Sequence, residues 1–296
     1  MESTFEPPSS PPPSSVVYGT DDKLFGSIER IHYQSGKRSF GSFLDAGTGS
    51  HSLRWMASLM IDSAIHSEKN LYNLTIDHYT AITADEGMRS NVYKEAMKLG
   101  IQEKGSIVIG NWQSQNEEEL LKGEMYDTIL ADYLVGAMDG FSPYYQDLIF
   151  PRLSKHLKPG GRLYVVGLQP IPHHTQGDAN IFCKVTRLRD ACILLAGHRC
   201  YREYPVDWIE RHLEKAGLKV IHSSTFPIMY SHAAIVRQLN VARSKLPLFE
   251  SKELAEKMGH EIDRLEQESK EATDRSINGR LQLGFDYVVT AEMPYE

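Results

Sequence analysis

The stretch FLDAGTGSHSLRW, Phe43 to Trp55, decides how the rest of the chain is read. A short apolar run meets an acid, Asp45. Two glycines follow, Gly47 and Gly49, one residue apart. A helical pattern then begins. Glycine at a strand-to-helix seam lets the backbone turn sharply and lets a ligand approach main-chain N–H groups. The stretch therefore reads as a cofactor loop, and the flanking sequence must say for which cofactor.

Working outward, apolar strand-like runs alternate with helical patterns. SFLDAG is a first strand, TAITADEG (Thr80 to Gly87) a second, GSIVIGNW (Gly105 to Trp112) a third and YDTILADYLVG (Tyr126 to Gly136) a fourth. KPGGRLYVVGL gives a turn and a fifth strand, LKVIHSSTFPI a sixth and QLGFDYVVTAEM (Gln282 to Met293) a last one. Between them, Lys23 to Gln34, His51 to Ile65, MRSNVYKEAMKLG and Val206 to Gly217 read as helices, and YYQDLIFPRLSKHL as a helix interrupted or kinked near Pro151. Such alternation predicts an α/β fold, a doubly wound, largely parallel sheet with helices on both faces. Sheets of this kind bind ligands at the carboxyl ends of their strands. Asp45, Asp85, Glu86, Asn111 and Asp132 fall at those ends.

Two segments stand outside the alternation, at about 171–205 and 232–275. Both read as lid insertions, which commonly build substrate pockets. The second includes a charge-rich helical stretch from Lys252 to Lys270, a solvated face or a partner surface such as that of a homodimer. Residues 1–17 are rich in proline and serine and are expected to be disordered. The expected organisation is thus a tail over 1–17 and one domain over 18–296.

The 296 residues carry a formal net charge of −7, which disfavours a nucleic-acid partner. No run approaches the ~20 apolar residues of a membrane span, and no secretory signal is evident at the N-terminus. A cytoplasmic protein without membrane attachment is expected. Three cysteines, Cys183, Cys192 and Cys200, lack CxxC spacing and argue against a disulfide framework or structural zinc. They read as reduced thiols, with a soft-metal trio left open. No resident metal is expected.

The loop chemistry favours a methyl donor over a dinucleotide. A dinucleotide loop takes a third glycine, where this chain has Ser52, and Asp45 would repel a pyrophosphate. The ordered set LDAGTGS, the acid Asp85, YDTILADYL and LKPGGRLYVVG resembles the successive motifs of class I S-adenosylmethionine-dependent methyltransferases. The resemblance covers about residues 40–220, and GFDYVVTAE resembles that family's last strand, antiparallel between the fifth and the sixth. It implies a Rossmann-like seven-stranded sheet and S-adenosylmethionine as cofactor, with S-adenosylhomocysteine as product. It also implies that Gly47, Thr48 and Gly49 approach the methionine part beside Asp45, and that Asp85, with Glu86, takes the ribose hydroxyls. Asn111 and Trp112 would flank the adenine, and Asp132 and Tyr133 would sit beside the methyl group. Departures are His51, where the family often has glycine, and a longer interval before Asp85 that makes Asp77 a rival for the ribose.

The expected reaction is methyl transfer to O, N or S of a small-molecule acceptor by in-line displacement. ADYLVG is not the N/D-P-P-Y/F motif of amino methylation on bases or glutamine. Resemblance to protein arginine methyltransferases is faint, because the two glutamates that hold a guanidinium are missing. A protein or RNA methyltransferase and a non-catalytic S-adenosylmethionine-binding protein are the competing readings. Candidate catalytic residues are Tyr133, His173 and His174. Tyr144, Arg199 and Arg202, the last two in GHRCYREYP, are candidates for gripping the acceptor.

Overall fold

The computed structural model describes residues 22–61, 72–113 and 120–295. The proline- and serine-rich tail and the end of the helix expected to reach Ile65 lie outside the described residues. The elements are α1 (Lys23–Gln34), β1 (Ser42–Asp45), α2 (Ser50–Ser58), β2 (His78–Thr83), α3 (Glu86–Leu99), β3 (Gly105–Ile109), β4 (Tyr126–Asp132), α4 (Leu134–Phe141), α5 (Ile149–Ser154) and β5 (Leu157–Leu168). Then follow α6 (Asn180–Leu195), α7 (Val206–Lys215), β6 (Lys219–Ser231), α8 (His232–Lys245), α9 (Lys252–Arg275) and β7 (Arg280–Glu292).

The seven strands form one sheet in the order β3-β2-β1-β4-β5-β7-β6. β1 pairs in parallel with β2 and with β4, placing Leu44 opposite Thr80 on one side and Ile129 on the other. The β2–β3 and β4–β5 pairs are parallel too. The chain reverses at β7: Gly160 donates to Met293 near one end of β5, and Gln169 donates to Phe285 at the other. β7 therefore runs antiparallel between β5 and β6, as the sequence reading expects.

Several elements differ from that expectation at their ends, each for a local reason. β2 stops at Thr83, because Asp85 caps α3 with its side chain on the Met88 N–H at 2.6 Å. β4 stops at Asp132, because Tyr133 turns into the left-handed region at φ 49° and α4 begins at once. Pro151 lies in the first turn of α5, where its missing N–H costs no helical bond, so of the two expectations, interruption or kink, the helix is confined to Ile149–Ser154 and does not extend back to Tyr144. The charge-rich helix runs on to Arg275, beyond the expected Lys270.

The chain divides into two compact units. The first holds the residues up to Gly167 with Tyr204–Phe226 and Tyr287–Glu296. Its core gathers Phe25 and Ile28 of α1, Phe43 of β1, Leu53 and Trp55 of α2, and Tyr164 of β5, all 0–1% exposed. The second unit holds Leu168–Glu203 and Pro227–Asp286. There α6, α8 and α9 bury Phe182, Cys183, Val185, Ile235, Leu239, Ile262 and Leu265 against one another. The 3.6-residue spacing of Ile262, Leu265, Ser269 and Ala272 puts them on one face of α9 and leaves its charged residues outside. Cys183 and Cys192 are buried free thiols, and burial pushes both above the usual thiol range. No helix among the described residues is long and apolar enough to cross a membrane.

Candidate functional site

β1 and β4 are adjacent, yet the chain leaves β1 toward β2 on one side and reaches β4 on the other. That is the topological switch point where open α/β sheets form a crevice at their carboxyl ends. The loop after β1 enters this place. Ala46 N–H bonds to Leu130 O of β4 at 2.9 Å, and Thr48 N–H to Ile82 O of β2 at 2.8 Å. The loop is thus sewn to both neighbouring strands.

Asp45 is completely buried at the end of β1. Its Oδ2 accepts the Ser52 hydroxyl at 2.6 Å, and its Oδ1 faces the Gly47 N–H at 3.5 Å. Burial pushes its pKa from the ordinary 3.8 up to about 6, against the pull of these hydrogen bonds. Among the described residues, none of the groups bonded to Asp45 is a cation. Ser52, at the N3 position of α2, also receives the Gly49 N–H at 3.3 Å. The side chain in the place of a third glycine therefore ties the acid to the helix start.

The two glycines act differently from a sharp-turn reading. Gly49 is extended, with φ −132°. A Cβ on Gly49 would meet open space, whereas one on Gly47 would come within 2.9 Å of Leu134 Cδ1. The space beside Gly49, at the start of α2, is thus open.

Around this loop the structure gathers the other carboxyl-end residues. Asp85 follows β2 and is exposed, one carboxylate oxygen committed to capping α3. Asp77 precedes β2 and lies at the opposite edge, bonded to Ser39 and Gly41. Glu86 is exposed in the first turn of α3. Asn111, after β3, ties that strand to the end of α4: its Nδ2 donates to Phe141 O at 2.9 Å, and its Oδ1 accepts from Ser142. Trp112 is buried, 4% exposed, and its indole N–H donates to Ala46 O at 2.6 Å. It supports the glycine loop from behind, 66 residues away in sequence. Asp132 and Tyr133 end β4, both half-buried, with Tyr133 N–H on Val166 O at 3.0 Å.

His51 is anchored rather than loose. Its Nε2 sits 2.8 Å from Oδ2 of the buried Asp22, the residue that caps α1. The hydrogen bond to Asp22 raises the imidazole pKa, with Asp132 adding in the same direction. Sequence reasoning missed this pairing, and nothing local announces it.

The remaining candidates fall on other segments of the chain. Tyr144 belongs to the first unit and is 83% exposed with φ 67°. His173, His174, Arg199 and Arg202 belong to the second unit and are exposed, the histidines between β5 and α6 and the arginines between α6 and α7.

No family model and no curated protein matches this chain. Solved structures do. A candidate methyltransferase from Bacillus halodurans superposes with a TM-score of 0.53 at 15% identity, covering 90% of this chain and 99% of that one. The YcgJ protein from Bacillus subtilis superposes with a TM-score of 0.51 at 16% identity, covering 91% and 99%. At this identity the likeness establishes the fold: a Rossmann-like, doubly wound sheet of seven strands, with β7 reversed.

Proposed function

We propose that this chain is an S-adenosylmethionine-dependent methyltransferase acting on a small-molecule acceptor. One observation carries the reading. A fully buried carboxylate, Asp45, sits at the switch point beside Gly47 and Gly49, its pKa raised by burial and, among the described residues, bonded to no cation. A dinucleotide pyrophosphate would bring more negative charge to that acid, and the ammonium of a methionine moiety brings the missing positive one. The open space at Gly49 and the extended loop fit the same group. S-adenosylmethionine, when bound, supplies a sulfonium methyl for in-line displacement.

The residues of the chain would then divide the work. Gly47, Thr48 and Gly49 lie against the methionine part, and Ser52 holds Asp45 oriented toward the ammonium. Asp85 and Glu86 bind the ribose from the end of β2. Asn111 and Trp112 fix the adenine side, Trp112 chiefly by holding the Ala46 carbonyl. Asp132 and Tyr133 border the methyl group. Tyr144, Arg199 and Arg202 grip the acceptor, and Tyr133, His173 or His174 takes a proton where the nucleophile arrives protonated. We further infer that 18–296 act as one domain, with 171–205 and 232–275 giving acceptor specificity, and that the enzyme works in the cytoplasm.

Titration calorimetry with S-adenosylmethionine and S-adenosylhomocysteine tests the reading. Wild type binds both, and Asp85→Ala weakens binding at least about tenfold, the worth of hydrogen bonds to a charged group. The same substitution removes a helix cap, costing about 1 kcal/mol of stability. Asp85→Ser separates the two effects: it keeps the cap and restores stability, yet leaves the donor affinity low. Full affinity in Asp85→Ser, or no binding to wild type, would sink the assignment.

A further inference from the structure

Trp112 stands where β3 has run out. The strand ends at Ile109, and the Gly110 N–H reaches Thr83 O of β2 at 3.0 Å. Two residues on, the main-chain carbonyl of Trp112 accepts from Nη1 of Arg152 on α5, not from a strand. The same guanidinium lies 5.7 Å from the centre of the Trp112 ring, within cation–π range. Arg152 thus meets Trp112 twice, at its main-chain oxygen and at its ring.

A buried indole needs an acceptor for its N–H. Trp112 is 4% exposed, and its acceptor is Ala46 O at 2.6 Å. The Ala46 N–H is taken by Leu130 O at 2.9 Å. The residue between Asp45 and Gly47 is therefore fixed through both of its main-chain polar groups, one by β4 and the other by Trp112.

Arg152 is an unexpected residue to find at the far end of this chain of contacts. It is only 3% exposed, and among the described residues no carboxylate pairs with it and its Nη2 has no hydrogen-bond partner. Burying a charge without a counter-ion is unfavourable, so packing alone would be served better by an apolar side chain. Departures of this kind from a consistent core fall mainly at functional or strained sites. The planar guanidinium can donate to a carbonyl and face an aromatic ring together, a combination that the point charge of lysine does not match.

We infer that Arg152 is a positioning residue for the methyl donor, acting through Trp112 to hold the Ala46 carbonyl and with it the loop Ala46–Gly49. Arg152 itself touches no donor atom in this arrangement. The inference rests on the function proposed above, because the loop it steadies is the one assigned to the methionine part.

The first readout needs no donor. The chain holds three tryptophans, Trp55, Trp112 and Trp208, so its indole N–H groups give three resonances in a proton–nitrogen correlation spectrum. Trp112→Phe identifies the one that belongs to Trp112. In Arg152→Met that resonance shifts and its exchange with solvent quickens about fivefold or more, while those of Trp55 and Trp208 stay in place. The second readout is titration calorimetry with S-adenosylhomocysteine. Arg152→Met weakens binding about fivefold, the worth of one hydrogen bond, and Arg152→Lys restores part of the loss. In a Trp112→Phe background the same substitution changes affinity by less than about twofold, because the residue it acts through has already lost its N–H. A purely structural role would give equal losses in both backgrounds. Should Arg152→Met fail to fold, Arg152→Lys reads the same resonance and the same cycle with a smaller amplitude. An unmoved Trp112 resonance overturns the inference and leaves the proposed function standing. So does a shifted resonance with donor affinity unchanged, or equal losses in the two backgrounds. Absence of binding to wild type removes the proposed function and this inference together.

Discussion

On the function proposed above, Asp45→Asn lowers methyl-donor affinity about a hundredfold or more, and at the same time it raises the melting temperature of the ligand-free protein at neutral pH. Both effects follow from one charge. Burial lifts the Asp45 carboxyl from 3.8 to about 6, so the native protein holds its proton more tightly than the unfolded chain does. Between those two pH values the native state binds more protons, and stability therefore falls as pH rises through that window. The contribution is fully present below pH 3.8 and is lost once pH passes about 6. At pH 7 the ionised form costs the ligand-free protein about 3 kcal/mol at most, at about 1.4 kcal/mol per pH unit. Asn carries no charge and escapes that cost. Its amide can donate to the Ser52 hydroxyl, which can turn its own proton to Gly49 O, already 3.2 Å away. An amide beside the Gly47 N–H fits less well, so a gain of about 1–2 kcal/mol is expected, a few degrees in melting temperature.

The ligand side has the opposite sign. An ammonium next to Asp45 needs the ionised carboxylate, so wild-type donor affinity falls as pH drops below about 6. Asp45→Asn loses that attraction at every pH, and a loss of about a hundredfold or more is expected for a buried, charge-assisted contact. Melting curves from pH 4 to 8, with calorimetry at pH 7.5, read both halves. A variant no more stable than wild type at neutral pH, or one that binds the donor as well, would refute the argument.

The contrast between Asp45 and its partners marks what the sequence discloses. The alternation of strands and helices, and the glycine loop between β1 and α2, are written in local signals. These are an apolar run, two glycines and a helical stripe. Local signals also carry the reversal at β7, through its resemblance to a known final strand. The supports of the loop are not local. Trp112 reaches Ala46 across 66 residues, and the Asp22 carboxylate meets His51 from another helix. Such contacts exist only once the sheet has formed, and no spacing rule encodes them. Element ends were misread where a side chain overrode the apolar run. Tyr133 looks like the continuation of a strand and instead starts a helix, whereas Asp85, at the end of a strand-like run, also reads as the cap it proves to be.

Trp55→Ala should be the most destabilising single substitution discussed here, and it should act through the helix that carries the loop. Trp55 is fully buried on α2, two turns from Gly49. Its ring stacks on Phe25 of α1 at 4.5 Å and 9°, and meets Phe40 and Phe43 edge-on at 5.6 and 5.8 Å. Truncating a buried tryptophan costs about 3–5 kcal/mol through lost contacts and the cavity left behind. Its N–H also bonds to Oε1 of Glu29 at 2.8 Å, and Glu29 is fully buried on α1. Losing that donor deprives a buried carboxyl of a hydrogen bond, a further cost of about 1–3 kcal/mol. The two contributions can be separated. Trp55→Phe keeps an aromatic ring in the stack but removes the donor, so its loss should come mainly from Glu29. Adding Glu29→Met to Trp55→Phe removes the acceptor as well and should recover part of that loss, since deleting both partners costs less than deleting one. Urea unfolding of these three variants and of Glu29→Met alone measures this. Additive losses in the double variant would mean that the Glu29 bond does not stabilise the α1–α2 contact and that packing alone holds the loop helix in place.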